Sequence, residues 1–509
     1  MKPRSKFNIR LMVLVMIFLV SFQSVQVNAQ TLRADERGAI QTLIDNATDG
    51  DTVIIPAGTY SETLTIDKNL TLTGGSNLDT ILHPAGSGQR VITVTAGHNL
   101  VVNYLYIQNG QAPGDGGGGI YMAGGNLTVD HSFFNNNSAD YGGAIFMEAN
   151  TSTVTINNSY LIANTATADG GAVFARGNAT LYLASFGNNN AGSHGGGIHV
   201  QDGSLTTWGG QFIDNVAGGN GGGANVNNNV SISLTYFTTN TSGNQGGGLL
   251  QWNSDKTVTI ASATFTGNTA ELNGGGAYLT SHATISYNKF ISNTANSSGT
   301  SDTYGGGLYA SNGADVTYSK FIDNRVICSG CALRLGGAVF TSGVFNGTNL
   351  LFARNVASYG SALYFSNSTG WLNHVTIGQP TRANNSAILV NSGSNLTMYN
   401  SIISSYPTGV YIQGTLGEGW NIFFNNQTNF LVDGGTHNVY GPTQINIDPL
   451  FMDPATDDFH LHAFSPAIGA GTDTPIVVLY DLDVKSRTNR WDIGAYQFWT
   501  SFYLPLLIR

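Results

Sequence analysis

Four acid and imidazole side chains fall at one recurring place in this chain. Asp115 and Asp140 each lie two residues before a Gly-Gly pair, and Asp169 and His194 lie one residue before the next two pairs. If those pairs mark equivalent points of successive turns, the carboxylates stack about 5 Å apart. They then repel unless they are solvated, protonated or bridged by a cation such as Ca2+. Asp115, Asp140 and Asp169 are therefore a candidate cation site, with solvated turn acids as the plainer alternative; no other cofactor is expected.

A second strip is aromatic. Tyr287 and Tyr318 both stand three residues before a Phe, with Lys289 and Lys320 in another shared slot. Exposed stacked rings can hold a sugar, and the flanking lysines would suit an acidic glycan; ring-on-ring packing alone is the alternative. Glycoside hydrolysis needs two carboxyls roughly 5 to 9.5 Å apart. Asp214 and Asp323 share a slot but stand four turns apart, roughly 19 Å, which excludes them as such a pair. Arg354 takes that slot one turn after Asp323 and is read as its surface ion-pair partner. A lyase would add an Arg or Lys base beside calcium-binding acids. The acidic strip has none in the matching slots of its own turns, and Arg334 lies several turns away. His194 is read as a turn histidine, and no residue is assigned as catalytic.

The only cysteines, Cys328 and Cys331, form a Cys-Ser-Gly-Cys pair, half the ligand set of a structural zinc site. In an exported chain the pair is read as a local disulfide, with free thiols or an intermolecular metal site as alternatives.

These slots exist only if the chain repeats. Gly-Gly-x-apolar signatures begin at residues 117, 142, 170, 195, 221, 246, 274, 305 and 336, with a degenerate copy at 360, a period of 24 to 31 residues. Such a period marks a solenoid. Ahead of each signature after the first lies Phe-x-x-Asn, from Phe134-Asn137 to Phe352-Asn355, with Leu161-Asn164 as the variant. Five residues before that landmark, seven of nine turns carry an aliphatic residue; Thr207 and Gly347 are the exceptions. Alternation such as Val154-Thr-Ile156 is that of a strand with one face buried. Stacked turns would lay Phe on Phe and Asn on Asn, each Asn passing hydrogen bonds to the next. The two 31-residue turns lengthen only the segments from Asn293 to Gly305 and from Asn324 to Gly336, which are expected to bulge as loops. Upstream, residues 36–60 read as a short amphipathic helix (Ile40, Leu43, Ile44) over the first turn, a remedy for an exposed strand edge.

The ends and the charge bound the rest. Residues 1–29 combine Lys2, Arg4, Lys6 and Arg10 with an apolar run from Leu11 to Val20, the pattern of a secretory signal peptide. That run is short of the ~20 residues that span a bilayer, and no later stretch approaches it. Removing the segment takes the formal charge from −10 to −14. Nucleic acid is thereby an unsuitable partner, because phosphate binding needs a basic stripe.

The Gly-Gly-Ala-Ile and Phe-x-x-Asn combination resembles the repeats of the polymorphic outer-membrane proteins, and residues 36–440 look like the pectate-lyase-like parallel β-helix superfamily. The resemblance implies an all-β, single-stranded right-handed parallel β-helix solenoid with an N-terminal capping helix. It does not select an activity, because that superfamily holds lyases, hydrolases and adhesins. Asp448-Pro-Leu-Phe451, Ser465-Pro-Ala-Ile468 and Trp491-Asp-Ile-Gly-Ala-Tyr496 are similar to the choice-of-anchor Q module of bacterial surface proteins. Lys485, where a Gly is usual, and Gln497, where Glu is common, depart from it. The expected organisation is a signal peptide (1–29), the β-helix (30–440), the C-terminal module (441–499) and a tail (500–509). The expected role is a non-catalytic, adhesive or glycan-binding protein of a bacterial surface or matrix, with a polysaccharide or other surface component as partner. The alternative is a polysaccharide lyase or glycoside hydrolase.

Overall fold

The computed structural model describes residues 31–33, 40–379, 385–474, 478–487 and 491–499. The expected signal segment and the C-terminal tail, residues 500–509, lie outside the described residues. No helix among those described is long and apolar enough to cross a membrane.

The chain winds into a parallel β-solenoid of about 15 turns. One turn shows how the sequence does it. After Gly195-Gly196-Gly197 comes the strand Ile198–Val200, then Leu205–Trp208, then Gln211–Ile213, and after Asn215 the two-residue strand Val216–Ala217. Each strand pairs in parallel with its equivalents one turn before and after, which yields three long columns: post-glycine, aliphatic and Phe. A fourth column of nine short strands follows the Asn positions.

The two glycines do different jobs. Gly195 takes φ +66°, which L side chains rarely adopt. At Gly196 a Cβ would lie 2.3 Å from the Gly222 carbonyl of the next turn, so the second glycine is there for close approach. The corners flanking the Phe strand are also left-handed, yet filled by ordinary residues such as Leu234 (φ 54°) and Thr239 (φ 53°).

The dry interior is the stacked column the repeat predicts. Phe186, Phe212, Phe237, Phe265, Phe290, Phe321 and Phe352 are all buried, with successive ring centroids 4.7–5.0 Å apart. Beside it runs an unbroken ladder from Asn137 to Asn355. Asn215 Nδ2 donates to Asn240 Oδ1 (2.9 Å) and to the Phe186 carbonyl (3.0 Å), while the Asn215 backbone N–H also donates to Asn240 Oδ1 (3.1 Å). Every amide group of the ladder is thus satisfied in a place without water. The two exceptions in the aliphatic slot have local causes. Buried Thr207 bonds Thr235 through their hydroxyls (2.8 Å), and the space beside Gly347 is taken by Leu372 and Leu350.

The long segments after Asn293 and Asn324 do not bulge loosely: they pair with each other, Thr294–Ser297 on Arg325–Cys328 and Thr303–Tyr304 on Arg334–Leu335. Cys328 and Cys331, at the tip of the second, are disulfide-bonded with Cα atoms 5.8 Å apart. Upstream, the helix Ile40–Asn46 buries Ile40 and Ile44 in the same core as Val53 and Ile55.

From residue 448 the chain turns back along the flank. A hairpin of Phe451–Asp453 and Asp458–Leu461 sets Phe459 against Leu351 and Ala353, and Tyr496 joins that cluster. Arg487 is buried and donates to Asn349 Oδ1 (3.0 Å) and to the carbonyls of Gly494 and Ala495 (2.9 and 3.1 Å). Asp492 accepts from the Gly469 and Phe498 backbones. Arg487 therefore ties the segment to the solenoid through Asn349, while Asp492 braces the segment internally.

Candidate functional site

The acidic strip is divided rather than assembled. Asp115 forms an ion pair with Arg90, which lies in the preceding turn and also stacks over Tyr121. Asp140 accepts from Thr167 Oγ1 (2.9 Å), and Asp169 accepts from the His194 backbone N–H (2.9 Å). Among the described residues no group of three or more His, Cys, Asp or Glu is arranged to hold a metal ion. Arg90 belongs to a turn without a Gly-Gly landmark, so comparison of slots could not reach it.

Beyond this strip lies a polar pair the repeat pattern gave no reason to single out. His199 occupies the outward position of its strand but is covered, and its Nδ1 lies 3.1 Å from Asn225 Nδ2. Burial, with a smaller contribution from His194, pushes its pKa down to about 3. The ring is therefore neutral at physiological pH.

Tyr287 and Tyr318 do stack, with centroids 4.7 Å apart and planes 5° from parallel. Tyr287 is exposed, whereas Tyr318 is half-buried against the cluster that the C-terminal segment forms with Leu351 and Ala353. Lys320 lies 3.9 Å from Asp483 and over the Tyr496 ring. This corrects the expectation of an open basic-aromatic strip: half of it is an internal contact.

The open aromatic surface is upstream, on the same flank. Tyr106, Phe133 and Tyr160 follow one another in the outward register of the Phe column, where Tyr236 reappears three turns later. Tyr182 and Trp208 occupy the adjacent outward position of the aliphatic column in the two turns between and stack at 4.8 Å, 5° from parallel. Tyr160, Tyr182, Trp208 and Tyr236 are 42–54% exposed. Six turns at the stacking repeat give a strip of roughly 24 Å. At its upstream end a groove of about 390 Å³ is lined by Leu78, Tyr104, His131, Asn158, Tyr160 and Leu183. Between residues 91 and 255 the only Lys or Arg is Arg176.

Residues 131–148 match the Chlamydia polymorphic membrane protein repeat, a stretch that spans one Phe-x-x-Asn landmark and the following Gly-Gly-Ala-Ile. No curated protein matches the sequence. Among solved structures, a PL6 alginate lyase in complex with a trisaccharide is 12% identical, with a TM-score of 0.36 over 90% of this chain and 95% of that one. Pectate lyase Pel9A is 13% identical, with a TM-score of 0.23 over 92% and 96%. The tailspike protein of E. coli bacteriophage HK620 in complex with pentasaccharide is 12% identical, with a TM-score of 0.28 over 81% and 77%.

Another titratable cluster sits in the C-terminal segment. His460 Nδ1 meets Asp458 (2.5 Å) and its Nε2 meets Asp483 (2.7 Å), at the edge of a groove of about 780 Å³ that Met452, Lys485 and Trp499 also line. The bond to Asp483 chiefly raises the His460 pKa, and the same bond lowers that of Asp483. With both ring nitrogens held by carboxylates, the imidazole has no free lone pair with which to take a proton from a substrate. Arg354 is likewise committed. It bridges Asp323 and Asp457, the latter from the C-terminal segment, and so is more than the surface partner of Asp323 that its slot implied.

Proposed function

We propose that this is an exported, non-catalytic surface or matrix protein whose solenoid presents an aromatic strip to a glycan. One observation carries the reading: Tyr160, Tyr182, Trp208 and Tyr236 stand solvent-exposed in successive turns on one flank, where flat rings can pack on the apolar faces of sugars. The absence of cations beside the strip favours a neutral glycan over a uronate, because a uronate would leave its carboxylates unpaired there. Elsewhere Asp115 is paired with Arg90, Arg354 bridges Asp323 and Asp457, and His460 is held between Asp458 and Asp483, contacts that support a binding role over turnover. Export and the bacterial surface rest on the signal-like opening and on the likeness of residues 448–496 to the choice-of-anchor Q module.

Glycan-array binding together with an assay for reducing ends and unsaturated products tests the proposal. The expected outcome is binding to neutral polysaccharide, weakened at least tenfold by the Tyr182→Ala, Trp208→Ala double variant, without turnover of any array member. Turnover on any polysaccharide, or binding indifferent to that variant, would overturn it.

A further inference from the structure

The two ends of the solenoid are finished differently. Upstream, the helix Ile40–Asn46 lays Ile40 and Ile44 on the first turn, and the strand Thr31–Arg33 pairs beyond Thr52–Ile54. Downstream, the last strands, Thr428–Val432, Thr436–Val439 and Gln444–Ile445, pair among the described residues only with the turn before them. Register identifies their core positions: Val432 lies over Ile412, Val439 over Glu418 and Ile445 over Phe423. Those three partners are at most 1% exposed, whereas Val432, Val439 and Ile445 are 49%, 62% and 43% exposed. The core is cut open in cross-section.

We propose that this open end is a self-association surface, on which a second copy of the chain docks end to end. Edge strands offer unpaired N–H and C=O groups to any other strand, and proteins usually protect them with lysine, proline or a covering element. Among the described residues no such protection is present. From residue 385 to residue 450 the chain contains no Lys or Arg, and Pro442 lies in the turn between strands. The described part of the C-terminal segment bonds to Asn349, Asn373 and Asn400 on the flank, and among the described residues nothing pairs with the end.

Two features select a second copy as the occupant. The upstream end carries its own helix, so a head-to-tail stack finds no equally open cross-section, while the same end of another copy supplies one; this is the self-complementary contact of a two-fold dimer. Charge does not oppose it, since the strands of the last turn carry no acid or base other than His437, and the nearby Asp433 is bonded to Tyr411.

Sedimentation velocity of the full chain over a range of concentrations decides the question. A reversible dimer is expected, with Val432→Lys and Val439→Lys each weakening it at least tenfold. Both side chains already face solvent in the monomer, so the melting temperature should stay within a few degrees. Tyr236→Lys, on the glycan strip, should leave the dimer intact. A monomer at every concentration would refute the proposal, as would a dimer untouched by the two lysines or abolished by Tyr236→Lys. A full-length monomer that dimerises only after removal of residues 500–509 would also refute it, by making the tail the cover.

Discussion

Phe212 on Phe237 and Tyr182 on Trp208 are the same contact made in two places. Centroids are 4.9 and 4.8 Å apart and both pairs lie 5° from parallel, yet the first pair is almost wholly buried and the second more than two-fifths exposed. Winding the chain at a fixed period produces stacking wherever two turns place rings in one slot. Which side of the strand the slot faces then decides whether the stack is core or surface. The inner stack is stabilised by burial, with the amide ladder beside it; the outer one faces solvent.

The comparison breaks most visibly from the inside. Asn240→Ala removes the acceptor for the Asn215 side chain and backbone and the donor to the Phe212 carbonyl and Asn268. With each orphaned buried group worth about 1–3 kcal/mol, a loss of about 3–5 kcal/mol is expected. Phe237→Ala should cost a similar ~3–5 kcal/mol through the cavity between its two neighbours. Because a solenoid turn contacts only its neighbours, denaturant melts should show a separate early transition rather than a uniform shift.

His199 sharpens the contrast, because it points outward and is nevertheless covered. Its pKa, pushed down to about 3 by burial, lies below that of the unfolded chain. The unfolded state therefore binds the extra proton between those values, so stability is complete above about pH 6.5 and falls as pH drops towards 3. His199→Asn, which repeats the residue found over it in the next turn, should flatten this acid limb by as much as a few kcal/mol, read from melting temperatures between pH 4 and pH 7.

On the open side, Trp208→Ala should lower affinity for a bound neutral glycan by about tenfold, near 1.4 kcal/mol, with little change in melting temperature. The reverse pattern, a large loss of stability without loss of binding, would mean that the Tyr182–Trp208 stack belongs to the fold as Phe212–Phe237 does.

The Phe and Asn columns were legible in the sequence because each turn repeats the residue itself at a constant offset. The Tyr160 to Tyr236 strip was not, since its members alternate between two columns and share no slot over more than three consecutive turns. Tyr318 and Lys320 were placed correctly in their turns, but what covers them comes from residues 459–496, over a hundred positions away, and no repeat reports such a contact. Arg354 with Asp457 was lost for the same reason, and Arg90 with Asp115 because the early turns lack glycine landmarks.

The smallest expected effect is that of calcium. A stacked acidic strip binds a divalent ion when several carboxylate oxygens can turn to one point. Here Asp115 is neutralised by Arg90, Asp140 turns to Thr167, and Asp169 is occupied by a backbone N–H. Burial also raises the Asp169 pKa, which opposes its charged form. Millimolar calcium should leave the melting temperature of the native chain unchanged. Arg90→Ala frees Asp115 alone, and one exposed carboxylate binds calcium too weakly to register. A calcium-dependent rise in the native chain would mean that Asp115 abandons Arg90 when the ion arrives, and the outer face would then carry a cation site beside the proposed glycan strip.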